Sequence, residues 1–458
     1  MNNLKGSIPH FFRAYDVRGI YGPEITTDVA YRIGRAFCSY LGKGSNINVA
    51  EDTRNGSSDL CESLENGILD SGCNVINVGK VPSPILYFST ERLRSNAGVM
   101  ITASHLPPEW NGFKFCDQFG QVISEGHGLE SIGKIYLNEF PEISVIGEQK
   151  KYNNIISDYS NFIKRGINKI RPDFKVTVDT SNSVPALFLP QLFNKANINS
   201  IFINTEILEH PLHDVEPGFE SMRMLSEKVV ENDSDLGLIF DSDGDRVAFV
   251  DENGKIYPDG VILISLISNI MAKQNRTDTV VVDITCPTAL LEYLESIGLK
   301  PVISRVGHNY CSSMALSQNS IFAAQFSGHI SLRETNYRDD AIYASFKLME
   351  FVSNLGEPLS NYIKNNIPRF FYKTAALEIP EIRKFGLMRD LIKIIKNCEK
   401  NVIEIDGVKA VRDEGSYLIR ASNTSNIIRI MAEGKNKEVM EKMMNIAMKK
   451  AKEVINND

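Results

Sequence analysis

The sequence predicts an α/β fold class, with three related α/β units followed by a smaller α+β unit. Two observations predict it. The first is a weak internal repeat. NINVAEDTRNG (46–56), FKVTVDTSNS (174–183) and TVVVDITCPT (279–288) each read as an apolar strand ending in Asp-Thr or Asp-x-Thr. Each is followed by a helical run and a second strand: SSDLCESLENGILDSG then NVINVG, VPALFLPQLFNKAN then SIFI, and ALLEYLESIG then PVIS. The second observation is a change of pattern near the C-terminus. EIDGVKAVRDEGSYLIRASNTSNIIRIMAEG alternates apolar and polar positions around an Asp-Gly turn, as an antiparallel meander does. NKEVMEKMMNIAMKKAKEVI then reads as a closing amphipathic helix.

Strand–helix–strand order implies parallel strands with helices on the sheet faces. The polar residues ending each first strand fall at the C-terminal edge, where open α/β sheets bind ligands. Boundaries are expected near 150, 253 and 366, giving segments 1–150, 151–253, 254–365 and 366–458. Apolar residues make up 43% of the 458, enough for a core without a metal staple. A net charge of −7 argues against nucleic acid or an anionic membrane as partner. Seven cysteines without a C-x-x-C read as reduced thiols. The N-terminus lacks a signal-peptide core, and VILISLISNIMA (261–272) is too short to span a bilayer. A cytoplasmic protein is expected.

The sharpest chemistry lies in LGLIFDSDGDRVAFVDENGK (236–255). A strand and the start of a hairpin flank Asp241, Asp243 and Asp245, three carboxylates at alternate positions. Three like charges this close repel unless a cation neutralises them, and hard oxygen ligands suit Mg²⁺ or Ca²⁺. An EF-hand is a poor reading. Glu252 falls at the twelfth position, but Arg246 occupies the sixth, where Gly is needed, and the flanks are strands. A solvated acidic turn is the bland alternative, which Arg246 and the apolar flanks disfavour.

In ITASHLPPEWNGFKF (101–115), Ser104 and His105 follow an apolar run. No G-x-S-x-G surrounds the serine, which argues against a hydrolase elbow. Ser104 alone fits an ordinary loop serine. A serine can also carry a phosphoryl group, and then needs a metal and cations nearby. Lys114 and the Asp triplet could supply them. Pro107-Pro108 is expected to stiffen the loop, and Asn111-Gly112 to turn it so that Lys114 points back.

Together with three further motifs, these stretches resemble the α-D-phosphohexomutase superfamily, phosphomannomutase/phosphoglucomutase branch, along nearly the whole chain. FFRAYDVRG (11–19) is similar to its F-R-x-Y-D-I-R-G, TASHLPPEWNGFKF to its phosphoserine loop and DSDGDR to its Mg²⁺ loop. QFSGH (325–329) is similar to its sugar loop G-E-x-S-G-H, and RASNTSNIIRIMAEG (420–434) to its phosphate-binding loop. The resemblance implies four domains around a central cleft: three related α/β units with mixed sheets and a C-terminal α+β domain. It implies interconversion of hexose 1-phosphate and hexose 6-phosphate, of mannose or glucose, through a phosphoserine and a 1,6-bisphosphate.

The residue roles follow from the same resemblance. Ser104 carries the phosphoryl group, with Mg²⁺ held by Asp241, Asp243, Asp245 and the phosphoserine. Arg18 and Lys114 stabilise charge and move protons, and His308 in SRVGHNY takes part. Arg420, Ser422, Asn423 and Thr424 hold the unreacting phosphate, as a bidentate Arg, hydroxyls and loop N–H groups can. Tyr15, Gln325, Ser327, His329 and Arg429 are further substrate contacts, and Arg246 and His105 further site residues. A hexose 1,6-bisphosphate is the implied activator. A phosphosugar is the implied partner of a monomer or homodimer.

The chain departs from the family at five places. Gln325 replaces Glu and Ala324 replaces Gly in the sugar loop; Thr285 stands where many members carry Lys; Leu106 replaces Asn; Ser242 replaces Gly. Gln both donates and accepts, where Glu only accepts. The catalytic and metal parts look complete and the sugar-reading part edited. Gln325 keeps a phosphoglucosamine mutase open as an alternative, and so is a degenerate, non-catalytic sugar-phosphate-binding paralogue.

Overall fold

The computed structural model describes residues 8–140, 145–272, 278–422 and 426–456. All three repeats form as the pattern predicts. Asn46–Glu51 pairs in parallel with Asn74–Lys80 across the helix Ser57–Leu69. Lys175–Asp179 pairs with Asn199–Ile203 across Pro185–Ala196, and Thr279–Asp283 with Lys300–Ser304 across Thr288–Ser296. The recurring aspartates have a local cause. Asp52, Asp179 and Asp283 each accept the N–H two residues on, from Arg54 (3.0 Å), Ser181 (2.9 Å) and Thr285 (2.7 Å). Such turns end a strand by satisfying the next free donor.

The chain divides into two compact units. One runs to Leu263 and includes Ser327–Ile363; the other is Ile264–Phe326 together with Lys364 onward. In the first, a seven-stranded sheet has parallel strands at its centre. Trp110–Asp117 joins antiparallel to Ala97–Ile101, and Val17–Ile20 antiparallel to Trp110–Asp117. The helices Thr27–Leu41 and Ser57–Leu69 cross at Gly34 and Gly67, where a Cβ would lie 2.3 Å and 2.1 Å from a facing carbonyl oxygen. A second, five-stranded sheet is centred on Leu236–Phe240, parallel to Lys175–Asp179 and antiparallel to Val247–Asp251.

In the second unit, Thr279–Asp283 lies between parallel Lys300–Ser304 and Phe322–Ala324. The C-terminal meander is an antiparallel sheet ordered Tyr372–Glu378, Ile427–Gly434, Gly415–Ala421, Val408–Arg412 and Asn401–Ile403. The closing helix Lys437–Asn456 forms as expected. The strand Tyr372–Glu378 and the helix Glu381–Cys398 carry no strong signal of their own and were not anticipated. Glu433 reaches from the sheet to accept the N–H and hydroxyl of Thr288 at the start of Thr288–Ser296.

Two expectations are corrected. Cys38 and Cys73 are paired in a disulfide, 35 residues apart, so not all seven cysteines are reduced thiols. The end of Thr27–Leu41 meets the entry into Asn74–Lys80, a proximity that no cysteine spacing announces. Asn111-Gly112 forms no turn. Both lie inside Trp110–Asp117, paired with Gly19 and Arg18. Residues 261–272 lie in the helix Gly260–Ala272, and no helix among the described residues is long and apolar enough to cross a membrane.

Asp340 caps the helix Ala341–Ser353 and ties it to Ile155–Gly166, accepting from Tyr343 N–H at 2.9 Å and Tyr159 hydroxyl at 2.6 Å. Burial pushes its pKa up to about 6; the Tyr159 and Tyr343 hydrogen bonds and Arg338 oppose the rise, and Asp339 adds to it. A raised carboxyl stabilises the fold below its unfolded pKa, and that contribution disappears as pH rises through 6. Asp340→Asn keeps the acceptor and cannot ionise. Wild-type stability relative to this variant is expected to fall by about 3 kcal/mol at most between pH 4 and 7. Urea unfolding of both proteins across that range measures it, and a pH-independent difference would refute it.

Candidate active site

Ser104 lies three residues past the strand Ala97–Ile101, in a left-handed conformation with φ +51°. That region is unfavourable for a residue with a Cβ, so the loop must be held by its surroundings. Ser104 N–H donates to Thr102 Oγ1 at 2.9 Å. Its hydroxyl is 3.2 Å from Asp241 Oδ2 and 3.4 Å from His105 Nδ1. The serine is buried, 1% exposed, beside the first carboxylate of the acidic loop.

That loop closes the hairpin between Leu236–Phe240 and Val247–Asp251. Asp241, Asp243 and Asp245 are buried, and each offers an oxygen within 4.8 Å of the others. Lys114 enters from Trp110–Asp117 and bridges Asp243 Oδ2 (2.6 Å) and Asp245 Oδ2 (2.7 Å). Ser83 donates to Asp243 Oδ2 at 2.7 Å. Asp241 Oδ1 accepts from the N–H groups of Asp245 and Arg246 at 3.1 and 3.2 Å. Asp243 Oδ1 accepts no hydrogen bond, and Asp245 Oδ1 has only His329 Nε2 at 3.4 Å. Orphaned buried carboxylate oxygens are costly unless a cation binds them. This donor set fits a hard divalent ion.

Electrostatics divides the groups. Burial and the neighbouring Asp245 and Asp243 hold the Asp241 carboxyl well above the usual range. Burial also opposes ionisation of Asp245, but Lys114 and His329 outweigh it and hold that carboxyl well below the usual range. Burial disfavours the Lys114 ammonium, yet Asp243 and Asp245 keep its pKa well above normal. Lys114 is thus a fixed cation, suited to stabilising charge. Burial and Arg246 push His105 well below its ordinary value, and its Nδ1 faces Arg246 at 2.9 Å. Arg246 also reaches Glu216 at 3.1 Å. Arg18 is buried, its Nε donates to Asp16 at 2.6 Å, and its Nη1 has no partner. Tyr15 is buried in the same unit.

Ser327 and His329 join this cluster, with Ser327 hydroxyl 3.0 Å from His329 Nδ1. Gly328 permits the approach: at φ +92° it sits where a Cβ would meet Val247 carbonyl oxygen at 2.8 Å. The acidic loop, the serine loop, Arg18 and the Ser327–His329 turn therefore all belong to the first unit.

The second unit holds the other candidates. Arg420 is buried and its Nε donates to Asp406 Oδ2 at 3.1 Å, leaving the terminal nitrogens for another acceptor. Asp406 also accepts from Val306 N–H at 3.3 Å, two residues before His308. Arg429 is directly opposite Arg420 across the strand pair. Ser422 is buried, and its carbonyl accepts from Lys384 at 2.7 Å. Asn423 and Thr424 lie outside the described residues. His308 begins the helix His308–Ser317, and Gln325 is buried. Thr285 turns its hydroxyl onto Asp283.

The sequence motifs did not single out Ser83, Asp16 and Asp406, which hold the side chains of Asp243, Arg18 and Arg420, or Arg54, which holds the serine-loop backbone. Asp16 lies inside FFRAYDVRG, and Arg54 follows the Asp-Thr that ends the first repeat strand.

Four family models match in chain order: phosphoglucomutase/phosphomannomutase alpha/beta/alpha domain I over residues 9–141, domain II over 153–254, domain III over 258–370, and the C-terminal domain over 373–450. The chain is 31% identical over 461 residues to a phosphomannomutase/phosphoglucomutase of Pseudomonas aeruginosa, covering 97% of this chain and 96% of the relative. It is 29% identical to a probable phosphoglucosamine mutase of Pyrococcus abyssi, covering 97% and 98%. Among solved structures, a phosphoglucomutase/phosphomannomutase family protein of Burkholderia thailandensis superposes with a TM-score of 0.86 at 25% identity, covering 96% of both chains.

Removing Lys114 tests the electrostatic account of the acidic loop. Lys114→Met leaves the buried carboxylates without their cation, and is expected to cost about 3–5 kcal/mol in EDTA. Saturating Mg²⁺ should then raise the melting temperature of the variant more than that of wild type. Equal Mg²⁺ shifts in the two proteins would overturn the electrostatic account, and no shift in either would show that the loop does not hold the ion.

Proposed function

Because the chain belongs to the phosphoglucomutase/phosphomannomutase family, we propose that it is a phosphohexomutase, an intramolecular phosphotransferase that interconverts hexose 1-phosphate and hexose 6-phosphate of mannose or glucose. The observation that carries this reading is Ser104 Oγ at 3.2 Å from a buried triplet of carboxylates, two of which leave an oxygen without a hydrogen bond. Ser104 is the phosphoryl carrier. Its P–Oγ bond breaks as a sugar hydroxyl bonds to phosphorus, giving a 1,6-bisphosphate, and the return step moves the other phosphoryl group back to Oγ. Asp241, Asp243 and Asp245 would hold Mg²⁺, which would supply neutralising charge for the phosphoryl oxygens.

Lys114, a permanent cation between two carboxylates, and the unpartnered Arg18 Nη1 support charge stabilisation of the same group. His308 is a further candidate for proton transfer. Arg420, Ser422, Asn423, Thr424 and Arg429 bind the phosphate that is not transferred, a role supported by the burial of Arg420 and by Asp406, which orients its guanidinium through Nε. Ser327, His329, Gln325 and Tyr15 contact the sugar. The division at 150, 253 and 365 into four domains is supported by the ranges of the family models. A hexose 1,6-bisphosphate as activator, a cytoplasmic location and a monomer or homodimer complete the proposal. A second reading, phosphoglucosamine mutase, is supported by Gln325 and by the Pyrococcus relative.

A mutase assay separates these readings. Protein with Mg²⁺ and a trace of hexose 1,6-bisphosphate is offered mannose, glucose and glucosamine 1-phosphates in parallel. Turnover of mannose or glucose 1-phosphate is expected, and turnover of glucosamine 1-phosphate alone would select the second reading. Ser104→Ala is expected to abolish turnover; near-wild-type rates would remove the carrier role. Arg420→Ala should raise KM about tenfold with a smaller change in kcat, because a phosphate anchor acts in ground and transition states alike. An unchanged KM counts against that assignment.

A further inference from the structure

Arg54 lies three residues past the strand Asn46–Glu51 and belongs to none of the motifs that pointed to the site. Its side chain is 9% exposed. Its guanidinium donates to four backbone carbonyls of one loop: Ser104, Leu106, Pro107 at 2.8 Å and Trp110 at 3.0 Å. Asp52 fixes the other end of Arg54. It accepts Arg54 N–H at 3.0 Å, lies 3.4 Å from Nε, and is itself held by Ser57. The Ser104 carbonyl takes a second donor, the hydroxyl of Ser242 in the acidic loop. A glycine, the family residue at position 242, has no side chain to make that bond.

The residue type follows from the geometry. Carbonyls that converge on one point need a planar fork of donors, which guanidinium has and ammonium lacks. Ser104 is left-handed and must be held there, and a loop whose carbonyls are all bound to one rigid cation cannot relax out of that conformation. Resting on the reading of Ser104 as phosphoryl carrier, we propose that Arg54 is a positioning residue for phosphoryl transfer. It clamps the backbone of the serine loop, with Ser242 as a second anchor on the same carbonyl, and so keeps Ser104 Oγ beside Asp241.

The chain has one tryptophan, Trp110, whose carbonyl is among the four that Arg54 holds, so its fluorescence reports on this loop alone. Arg54→Lys keeps the charge and removes the fork. It is expected to lower kcat about 100-fold with KM changed less than about threefold, as a misplaced reacting group does. Acrylamide quenching of Trp110 should rise in the same variant while the far-ultraviolet circular dichroism stays that of wild type. Ser242→Gly should move both readouts the same way by less, and carries the test alone should Arg54→Lys fail to fold. Ser104→Ala should lose turnover yet keep wild-type quenching, since the clamp grips main chain. A wild-type kcat in Arg54→Lys, or a lowered kcat with unchanged quenching, overturns the proposal. Wild-type turnover in Ser104→Ala instead overturns the carrier reading, and the quenching of Arg54→Lys then measures the clamp by itself.

Discussion

The candidate site depends on one buried cation. Lys114 lies within 2.7 Å of both Asp243 and Asp245, and all three are at most 3% exposed. Three carboxylates this deeply buried would otherwise neutralise by protonation or drive the loop outward. Even with Arg246 3.8 Å from Asp241, the ammonium leaves the three carboxylates short of positive charge. It occupies one oxygen on each of two residues and leaves the opposite oxygens, Asp243 Oδ1 and Asp245 Oδ1, without hydrogen bonds. The arrangement is internally half-compensated, which is the condition in which a divalent ion gains most by binding. Geometry enforces it from two sheets. Lys114 is fixed by the antiparallel register of Trp110–Asp117 against Ala97–Ile101, and the aspartates by the hairpin from Leu236 to Asp251.

The acidic loop is also joined to the start of the helix Ser83–Arg92 by contacts from uncharged residues. Ser83 gives both its N–H and its hydroxyl to Asp243. Gly244, at φ +71°, packs where a Cβ would touch Pro82 at 3.0 Å. The helix Ser83–Arg92 thus begins against the acidic loop, with Pro at its cap position. Precision here comes from main-chain hydrogen bonds and close backbone approach. Such contacts tolerate few side-chain solutions, which is how a loop can hold a residue in an unfavourable conformation.

Much of this was legible in the sequence. The repeat showed three parallel units because its strands are apolar runs ended by an aspartate, and that aspartate has a steric and hydrogen-bonding reason to be there. The acidic triplet was legible because like charges at alternate positions demand an explanation. What stayed hidden was long-range. Arg54 reaches carbonyls 50 to 56 residues away, and Asp406 orients Arg420 across a hairpin. Neither residue differs locally from a surface charge. The Asn111-Gly112 turn misled for the same reason: a local turn signal was overridden by pairing with Val17–Ile20. The Cys38–Cys73 pair depends on a helix end meeting a strand start, which only the packed unit reveals.

The departures from the family pattern take on a different meaning once their contacts are known. Thr285, in place of a lysine, turns its hydroxyl onto Asp283, whose turn its N–H already closes as in the other two repeats. Ser242, in place of a glycine, adds a bond from the acidic loop to Ser104. The two changes differ in kind. One withdraws a mobile cation, which would bind an anion wherever it sat, and the other tightens the backbone around the proposed carrier. A protein losing activity by drift would not be expected to gain an anchor at its proposed phosphoryl carrier while keeping Lys114, the triplet and Arg420 buried and paired. The edits therefore favour altered recognition of the sugar over retirement of the phosphoryl chemistry. Gln325, buried and able to donate as well as accept, is where the altered recognition would be read.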